Sequence, residues 1–526
     1  MNTLYEWQRD CLEVIKDKNA IVSAPTGAGK TRVAYLWMEP QKAKEGRHRI
    51  IYTTPIKALA NQKVEELIEL YGKDLVGIET GDIKRRENAP ILVCTQEIYT
   101  RKYAHKEEPM RVVIDEFHYI FSAQDRARAY IQGIAKAHSA HKILIMSATL
   151  GNPQKLRDYL FKTTSKDFAL YETSFRPTKL TFTDRVFKLE EIPPHSLIYI
   201  LNTVSIESIA KHLTTKLPAL PLYKRRKIKL LADEYKVNLE KFPEVFHGVA
   251  RYYSRLTYTE KRWIERLIKE GFIHTCFATN ALGVGVNLPF QWVLFGGVRL
   301  PGIGSTKYLS KTDFLQLSGR AGRKGYFDEG FVGFLWHDFH CYYEDMQESL
   351  EEFLKLKDRP MEEPNVVLKI DVEAIVKGQR TPEEEYQYIL HFSEPPPEES
   401  KLKEELERIK KELSKIQAGQ LEFLKRFYIP ELDLHSNIEL ARMVLSLPVV
   451  EYKTKRGKTY KARIITPSLL KFLEKSDQIN SLLLKRKVLK MLNRRTFEGI
   501  RIRCLGIVKL EDQIKALDPL LLEVGA

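Results

Sequence analysis

The chain has 526 residues, with 85 Lys and Arg against 69 Asp and Glu, so its formal net charge is +16. Its length leaves room for about three or four domains. The hydrophobic content of 43% and the charged content of 29% are typical of a globular protein. No apolar run approaches the roughly 20 residues that a bilayer span requires. The five cysteines form no CxxC pair, which argues against zinc, an iron–sulfur cluster and a disulfide framework.

The positive surplus favours a polyanionic partner. It is also uneven, because 18 Lys and Arg stand against 8 Asp and Glu from Glu451 to the end of the sequence. We therefore expect an additional polyanion-binding surface in that segment. The first residues, MNTLYEWQRD, have no basic segment followed by an apolar one, so we expect a cytoplasmic protein with no membrane partner.

Short β-branched runs, each ending in a polar motif, alternate with helix-like stretches from the start of the chain. The first group is AIVSAP, RIIYTTP, APILVCTQ, RVVIDE and KILIMSAT. After a plausible linker at Phe175-Arg176-Pro177 come SLIYILN, FIHTCFATN, WVLFGG and FVGFLW. Such runs predict parallel strands buried on both faces, with ligand loops at their carboxyl ends. We expect an α/β fold with two parallel-sheet lobes, residues 1–176 and 177–345.

Residues 346–526 have a different character. A stripe of apolar residues on a highly charged segment, from Leu402 to Ile416, predicts either a helical hairpin packed on its own domain or a partner-binding arm. VVEYKTKRGKTYKARII predicts a β-hairpin near 449–465 with a basic tip. That tip is either a solvated turn or a wing that touches nucleic acid. We expect a mainly helical, basic accessory domain.

The motif APTGAGKT predicts a phosphate-binding loop. Gly27 and Gly29 permit backbone conformations that bring successive N–H groups to phosphates at a helix N-terminus. Lys30 should bridge the β- and γ-phosphates of ATP, and the Thr31 hydroxyl should bind Mg²⁺. The loop residues expected to hold the nucleotide are Ala24, Pro25, Thr26, Gly27, Ala28, Gly29, Lys30 and Thr31.

Two carboxylates follow the apolar run RVVI. Adjacent residues at a strand end point to opposite sides, which suits two different tasks. We expect Asp115 to hold Mg²⁺ and Glu116 to orient and deprotonate the attacking water.

Arg320 and Arg323 lie three apart in SGRAGR, about 200 residues after the acidic pair. Two guanidinium groups on one helix face would stabilise the charge of a transferring phosphoryl group from the second lobe. Upstream, Gln8 in LYEWQ is placed to read the adenine edge through its amide. Together these residues predict ATP hydrolysis coupled to motion between the lobes.

These motifs resemble those of superfamily II DExH helicases, over nearly all of the first 340 residues. LYEWQ resembles the Q motif, APTGAGKT motif I, TTPIKALANQ motif Ia, DEFH motif II and SATL motif III. YILN resembles motif IV, ATNALGVGVNLP motif V and QLSGRAGRKG motif VI, while TGD and TQE resemble motifs that hold the strand backbone. The resemblance implies two tandem RecA-like domains that use ATP and Mg²⁺.

The resemblance also implies roles for further residues. Gln316 would act with the arginines of motif VI, and Gly285 and Asn287 would face the nucleotide. The residues implied to couple the ATP state to the strand are His118, Ser147 and Thr149. Those implied to contact nucleic acid are Thr54, Pro55, Lys57, Gly81, Thr95, Asn202 and Thr279.

Motifs V and VI resemble the Ski-like group, which includes RNA-exosome helicases and archaeal DNA-repair helicases and is associated with 3′ to 5′ movement. Between them, RLPGIGSTKYLS is either that group's strand-separating hairpin or an ordinary loop. The chain also resembles the stand-alone helicase subunit of type I CRISPR interference, whose HD nuclease is a separate polypeptide.

The resemblance implies single-stranded and forked DNA as substrates, with RNA as the alternative. The corresponding settings are DNA repair, CRISPR antiviral defence or RNA surveillance. In the CRISPR case the partners would be a separate HD nuclease and an effector complex. A nucleic-acid clamp that binds without hydrolysing ATP is the competing hypothesis.

Overall fold

The computed structural model describes residues 4–81, 83–122, 124–279, 288–300, 307–340, 344–430, 432–453, 459–465, 488, 491–492 and 495–504. The chain divides into two compact units, Met1–Val366 and Val367–Ala526. The first unit contains two sheets, and we call the part of the chain around each sheet lobe 1 and lobe 2.

Lobe 1 is built on an eight-stranded sheet. Its strands are β1 (Ala20–Ser23), β2 (Arg49–Thr54), β3 (Val76–Glu79), β4 (Lys84–Arg85), β5 (Ile91–Thr95), β6 (Met110–Ile114), β7 (His141–Ser147) and β8 (Ala169–Glu172). They lie in the order β4-β3-β5-β2-β6-β7-β1-β8, and every pairing except β3 with β4 is parallel. The order brings the carboxyl ends of β1 and β6 to one half of the sheet edge and those of β2, β3 and β5 to the other.

Helices flank this sheet, so the central strands are buried on both faces, as their continuous apolar runs predict. The helices are α1 (Glu6–Ile15), α2 (Lys30–Trp37), α3 (Pro40–Lys44), α4 (Lys57–Tyr71), α5 (Gln96–Lys102), α6 (Tyr119–Ser122), α7 (Gln124–Lys136) and α8 (Pro153–Thr164).

Lobe 2 has a six-stranded, fully parallel sheet in the order β11-β12-β10-β13-β14-β9. Its strands are β9 (Lys179–Phe187), β10 (Ser196–Tyr199), β11 (Val249–Tyr252), β12 (Thr275–Ala278), β13 (Trp292–Phe295) and β14 (Glu329–Leu335). Its helices are α9 (Thr203–Lys216), α10 (Leu222–Tyr235), α11 (Tyr258–Lys269), α12 (Lys311–Ser318) and α13 (Met346–Asp358), with short 3-10 turns at Leu189–Glu191, Leu239–Lys241 and Pro243–His247.

The helix α13 belongs to lobe 2, although the sequence-based boundary at residue 345 assigns it to the accessory domain. Its Phe353 is fully buried, with ring centroids 5.8 Å from Phe295, 5.7 Å from Phe314 and 5.5 Å from Phe334. These rings come from β13, α12 and β14, so α13 completes the core of the lobe. The structure therefore moves the boundary to Val366.

A short segment after α13, residues 361–365, touches both lobes. The Glu362 carboxylate accepts from the N–H of Thr312 at 3.0 Å, at the start of α12 in lobe 2. In lobe 1, Lys155 Nζ donates to Glu363 Oε2 at 2.6 Å and to Asn365 Oδ1 at 3.3 Å. We call residues 361–365 the strap.

The second unit is mainly helical, as predicted, with a small sheet. Its elements are α14 (Val372–Val376), α15 (Pro382–Phe392), α16 (Glu399–Leu413), α17 (Ala418–Phe427), α18 (Leu434–Ser446), β15 (Val449–Lys453), β16 (Thr459–Ile465), β17 (Thr496–Phe497) and β18 (Ile500–Cys504). The order of the sheet is β15-β16-β18-β17.

The strands β15 and β16 pair antiparallel, which is the hairpin that the alternation near 449–465 predicts. The basic tip, residues 454–458, lies outside the described residues, as does most of the basic C-terminal segment. The apolar stripe of α16 buries Leu402, Leu406 and Ile409. Lys403 of α16 lies 5.2 Å from the Tyr386 ring of α15, so α16 packs on its own unit as one half of a helical hairpin.

Within the described part of the chain, no helix is both long and apolar enough to cross a membrane.

Asn437 is expected to be a stability determinant of the second unit. It is fully buried, its Oδ1 accepts from Ile429 N at 2.9 Å, and its Nδ2 donates to the carbonyls of Ile429, Leu432 and Asp433 at 3.0, 3.1 and 3.0 Å. Asn437→Ala removes the partner of Ile429 N and of the Leu432 carbonyl, while the carbonyls of Ile429 and Asp433 keep a backbone bond, and it should lower the free energy of unfolding by about 2 to 3 kcal/mol. Urea unfolding followed by limited proteolysis of this unit measures the change. The exposed His435→Ala on the same helix is the control, and equal midpoints for the two variants would contradict the assignment.

Candidate active site

The phosphate loop connects β1 to α2. Gly27 and Gly29 adopt φ angles of +85° and +98°, in the left-handed region that favours glycine. A Cβ atom on Gly29 would lie 2.7 Å from Gln8 Nε2, so a larger residue would collide there. Gly27, Gly29, Lys30 and Thr31 line an open cleft at the start of α2, and a helix N-terminus is a ready anion-binding site. The predicted loop residues Ala24 and Ala28 are buried beneath it.

Lys30 folds back onto this loop. Its Nζ donates to the carbonyls of Ala24 at 2.7 Å and Pro25 at 3.0 Å. Burial lowers the pKa of Lys30, while the negative charges of Glu116 and Asp115 act in the opposite direction. An ammonium held only by carbonyls gains a counter-charge when a phosphate enters.

Gln8 contacts the loop directly. Its Oε1 accepts from Tyr5 N at 2.9 Å, and its Nε2 donates to Gly29 O at 3.0 Å. In this structure the buried amide therefore fixes the backbone of the loop, a role that the sequence does not predict. Reading of an adenine edge by Gln8 stays a prediction.

The acidic pair stands at the carboxyl end of β6, as predicted. Asp115 Oδ2 accepts from Tyr52 Oη at 2.6 Å, and its Oδ1 accepts from Glu116 N at 2.9 Å. Glu116 has a φ angle of +52°, which is unusual for a residue other than glycine and is typical of functional sites. Tyr52 lies within β2 and belongs to no predicted site.

The two carboxylates differ electrostatically. Burial and the adjacent charge of Glu116 raise the pKa of Asp115. Burial also tends to raise the pKa of Glu116, but interactions with His118, Lys30 and Arg320 outweigh it and lower that pKa. Glu116 is therefore the carboxylate that its surroundings keep ionised, whereas for Asp115 the charge of Lys63 and the hydrogen bond from Tyr52 do not offset burial and Glu116.

The residues at this end of the cleft fit Mg²⁺. The Thr31 hydroxyl and the Asp115 carboxylate line the same cleft, and the raised pKa of Asp115 reflects negative charge that a cation would neutralise. Mg²⁺ in phosphate sites takes one or two protein oxygens and completes its shell with phosphate and water. Elsewhere, the described residues contain no cluster of three or more His, Cys, Asp or Glu side chains that could hold a metal.

His118 connects the acidic pair to the segment after β7. The N–H of Ala148 donates to His118 Nδ1 at 3.1 Å, so the ring proton is assigned to Nε2, which lies 3.5 Å from Glu116 Oε2. Ala148 stands between the predicted coupling residues Ser147, which is buried, and Thr149, which is half-buried. A short path of polar contacts thus leads from Glu116 to this segment.

Arg320 and Arg323 reach the cleft from lobe 2, just after α12. The cleft has a volume of about 590 Å³, and Lys30, Asp115 and Glu116 line it from the other side. Burial and the charges of Arg320 and Arg176 lower the pKa of Arg323 to about 9. In the described part of the chain, the Nε of Arg323 is buried without a hydrogen-bond partner. This side of the cleft therefore favours the entry of negative charge.

Arg176 is a site residue that sequence reasoning missed, since the sequence identifies it only as part of a linker. Its Nη1 donates to the Thr26 carbonyl of lobe 1 at 3.4 Å, and its Nη2 donates to the Ala321 carbonyl of lobe 2 at 2.7 Å. A Cβ atom on Gly319 would lie 2.8 Å from Thr26 Cβ, so the lobes are in close contact here. Arg176 holds the phosphate loop against the segment that carries the two arginines.

A second, smaller cavity of about 180 Å³ adjoins the phosphate loop. Tyr5 and Gly29 line it from lobe 1, Arg176 from the linker, and Arg323 and Lys324 from lobe 2. Lys324 Nζ lies 4.3 Å from the centre of the Tyr5 ring. The cavity therefore combines an aromatic face with cationic groups.

The carboxyl ends of β2, β3 and β5 carry the strand-contact residues predicted for lobe 1. Thr54 and Thr95 end β2 and β5, and Gly81 follows β3. A Cβ atom on Gly81 would lie 3.5 Å from Lys57 Nζ, so these two residues are neighbours. The carbonyl of Pro55 accepts a hydrogen bond from Arg126. Thr54 also lines the 590 Å³ cleft, so it borders both the predicted nucleotide site and the predicted nucleic-acid contacts.

The site residues predicted in lobe 2 are more scattered than those predicted in lobe 1. Asn202 Oδ1 accepts from Ser205 N at 2.7 Å and caps α9, so this side chain has a structural role that the sequence does not predict. Thr279 follows β12, and Gln316 is half-buried on α12, outside the set that lines the cleft. Gly285 and Asn287 lie outside the described residues.

The segment predicted as a hairpin or loop between motifs V and VI is partly described. Arg299 and Tyr308 form an antiparallel bridge, and Leu300 N donates to Lys307 O at 2.8 Å. The intervening residues 301–306 lie outside the described residues.

Two family models match the chain. Residues 5–156 match the DEAD/DEAH box helicase model, and residues 206–325 match the helicase conserved C-terminal domain. The matched ranges contain all the motifs from Gln8 to Arg323 that line the cleft.

Curated relatives agree with these models. The chain is 26% identical to the ATP-dependent RNA helicase mtr4 of Schizosaccharomyces pombe over 403 residues, which covers 61% of this chain and 35% of the relative. It is 26% identical to the exosome RNA helicase MTR4 of Homo sapiens (62% and 38%) and 27% identical to the helicase POLQ-like of Caenorhabditis elegans (63% and 41%). These matches confirm the resemblance to the Ski-like group, although the chain spans only 35% to 41% of the length of these relatives.

Solved structures support the fold. The DUF1998 helicase MrfA bound to DNA and AMPPNP superposes with a TM-score of 0.51 at 19% identity, covering 72% of this chain and 54% of MrfA. Two parallel-sheet lobes with a nucleotide cleft between them are therefore RecA-like domains. With both helicase models matched and DEFH at the carboxyl end of β6, the chain carries a DEAD/DEAH box helicase domain of the DExH type and a helicase conserved C-terminal domain.

Proposed function

We propose that this protein is an ATP-dependent translocase that moves along a single nucleic-acid strand and separates duplexes. One observation carries the proposal: Lys30, Asp115 and Glu116 of lobe 1 and Arg320 and Arg323 of lobe 2 line one cleft of about 590 Å³. Hydrolysis therefore requires both lobes, and loss of the γ-phosphate removes a ligand that holds them together.

The chemistry follows from the groups in the cleft. Mg²⁺, when bound, neutralises phosphate charge next to Thr31 and Asp115. Glu116, kept ionised by its surroundings, accepts a hydrogen bond from the attacking water and orients it. Arg320 and Arg323 stabilise the negative charge that spreads over the transferring phosphoryl group.

The adenine base is assigned to the cavity of about 180 Å³ beside the phosphate loop. Tyr5 offers a ring for stacking, and Arg176 and Lys324 offer cations at the same cavity. Gln8 contacts both Tyr5 and Gly29, so its amide is close enough to exchange a loop contact for one with the base.

The nucleic-acid strand is assigned to the carboxyl ends of β2, β3 and β5 and to the corresponding edge of lobe 2. The contact between His118 and Ala148 offers a route from Glu116 to the end of β7 and the segment after it, which carry Ser147 and Thr149. Backbone-gripping residues do not distinguish DNA from RNA. The family resemblance gives DNA as the first candidate, whereas the names of the mtr4 relatives favour RNA, so RNA is the second candidate substrate.

The direction of movement along the strand and the biological process are further parts of the proposal. Movement from 3′ to 5′ is supported by the resemblance of motifs V and VI to the Ski-like group. DNA repair, CRISPR antiviral defence with a separate HD nuclease and effector complex, and RNA surveillance are the settings that the sequence suggests. Unwinding of matched DNA and RNA duplexes with 3′ or 5′ tails tests the substrate and the direction together.

Strand-stimulated ATPase activity is the primary test of the proposed function. ATP hydrolysis should rise when single-stranded oligonucleotide is added, and tailed duplexes should be unwound. A clamp would bind the oligonucleotide without turnover, and that result would overturn the proposal.

Lys30→Ala should abolish ATP hydrolysis and leave strand binding measurable. Removal of the ammonium deletes the cation that bridges the phosphates, and we expect turnover to fall about a hundredfold or more. A coupled ATPase assay and fluorescence anisotropy with a labelled oligonucleotide measure the two activities. Lys16→Ala, an exposed lysine after α1, is the matched control. Retained turnover in Lys30→Ala would refute the role of the loop.

Glu116→Gln should bind ATP and leave it unhydrolysed. The amide keeps the shape of the side chain but cannot accept a proton, so we expect turnover to fall by about 10² to 10⁴. Rapid filtration with labelled ATP, followed by separation of ATP from ADP, distinguishes trapped ATP from a failure to bind. Normal turnover would assign the base to another residue, and Glu172→Gln at the end of β8 is the control.

Arg176→Gln should reduce turnover about tenfold to a hundredfold, because the shorter neutral side chain cannot bridge Thr26 and Ala321. The decrease should appear mainly in kcat for strand-stimulated hydrolysis, whereas Mg²⁺-free ADP binding should change less. The exposed Lys188→Gln in lobe 2 is the control. A variant with unchanged kcat would remove Arg176 from the site.

A further inference from the structure

The first half of α10 is unusually basic. Its sequence from Leu222 to Leu230, LYKRRKIKL, contains five Lys and Arg and no Asp or Glu. Helix α10 buries Ile228 and Ala232 against lobe 2, while Arg226, Lys227 and Lys229 are exposed. We call the set Tyr223, Lys224, Arg225, Arg226, Lys227 and Lys229 the α10 basic surface.

The five cations of this surface lack acidic partners among the described residues. None of them forms an ion pair there, and the buried Nε of Arg225 has no hydrogen-bond partner in that part of the chain. Cations three or four apart on a helix repel each other and destabilise it. By contrast, α16 has the same number of Lys and Arg together with five glutamates, and it pairs Lys401, Lys403 and Lys410 with nearby glutamates. The α10 basic surface therefore retains a repulsion that an external polyanion would relieve.

The surface lies at the amino end of the lobe 2 sheet, opposite the strand contacts predicted at the carboxyl end. Just before α10, Leu220 N donates to Phe246 O at 2.7 Å, and Phe246 precedes β11. Lys227 Nζ lies 5.9 Å from the ring of Phe272, which precedes β12. The amino ends of β11 and β12 therefore border this surface, whereas the predicted strand contact Thr279 follows the carboxyl end of β12.

A nearby histidine is consistent with this concentration of positive charge. Burial, followed by the charges of His195 and Lys224, lowers the pKa of His274 at the amino end of β12. The basic groups of neighbouring elements thus converge on the same end of the lobe.

Apolar groups accompany the cations. Leu222, Tyr223 and Leu230 are 55%, 66% and 67% exposed. An exposed aromatic ring among cations is the combination that single-stranded nucleic acid uses, because the bases stack while the phosphates pair with Lys and Arg.

We propose that the α10 basic surface is a second nucleic-acid site, which binds the phosphate backbone of a strand segment outside the proposed path at the carboxyl ends of the strands. The choice of nucleic acid as the polyanion rests on the proposed function. A segment held at the carboxyl ends of the strands reaches this surface only if the same molecule is long enough to pass around lobe 2. The site adds affinity for long nucleic acids and does not take part in hydrolysis.

The test compares short and long oligonucleotides on the full chain. The variant is the triple substitution Arg226→Gln, Lys227→Gln and Lys229→Gln, and a separate Tyr223→Ala variant removes the ring without changing charge. The control is Lys401→Gln, Lys403→Gln and Lys410→Gln, which removes the same net charge from α16. Thermal unfolding confirms that each variant is folded.

We expect the triple variant to bind a 60-nucleotide single strand about tenfold more weakly than the control variant. Its slope of log affinity against log salt should fall by about 2, at roughly 0.7 for each phosphate that the variant no longer neutralises. Affinity for a 10-nucleotide strand, and the ATPase stimulation by it, should equal those of the control. Tyr223→Ala should weaken binding of the long strand without changing the salt slope.

Equal affinity and slope for the triple variant and the control would overturn the proposal. It would also fail if the triple variant bound only polyglutamate more weakly, because the partner would then be an acidic protein. Failure of the 10-nucleotide strand to stimulate the unmodified protein would instead refute the proposed function, so the two failures are distinguishable.

Discussion

The nucleotide cleft depends on one half-buried guanidinium that donates hydrogen bonds to backbone carbonyls of both lobes. Arg176 contacts the carbonyl of Thr26 in the phosphate loop and that of Ala321 beside the two arginines. Gly319 allows this approach, because any Cβ atom there would meet Thr26. This contact helps to set the positions of Arg320 and Arg323 relative to Lys30, because Ala321 lies between the two arginines in the sequence.

Electrostatics gives the cleft its selectivity for a charged ligand. Lys30 and Arg323 are both half-buried, and loss of solvent contact lowers the pKa of each. Asp115 has the opposite imbalance, because burial and Glu116 raise its pKa. A triphosphate accompanied by a divalent cation supplies negative charge beside Lys30 and Arg323 and positive charge beside Asp115. One ligand, a triphosphate with its cation, thus neutralises the uncompensated charges on both sides of the cleft.

Much of this site could be predicted from the sequence, because the motif residues follow buried strands and parallel strands end at a common edge. The same reasoning missed Arg176 and Tyr52, which act through contacts that only the folded chain creates. It also missed β3, because Gly77 in this strand is a residue that favours turns. In the structure Gly77 is needed for packing, since the carbonyl of Arg86 occupies the place of a Cβ atom. The polar edge strand β9 lacks the apolar run of a buried strand. Likewise, nothing in the sequence around Phe353 predicts that α13 packs into the core of lobe 2.

The strap adds a mechanical constraint. Residues 361–365 are bonded to the start of α12 on one side and to Lys155 of α8 on the other, while the linker around Arg176 joins the lobes a second time. These two connections oppose sliding of one lobe along the other, and Glu65 of α4 contacts Tyr258 and Arg262 of α11 at a third place between the lobes. A change in phosphate charge in the cleft therefore favours rotation of one lobe relative to the other over translation.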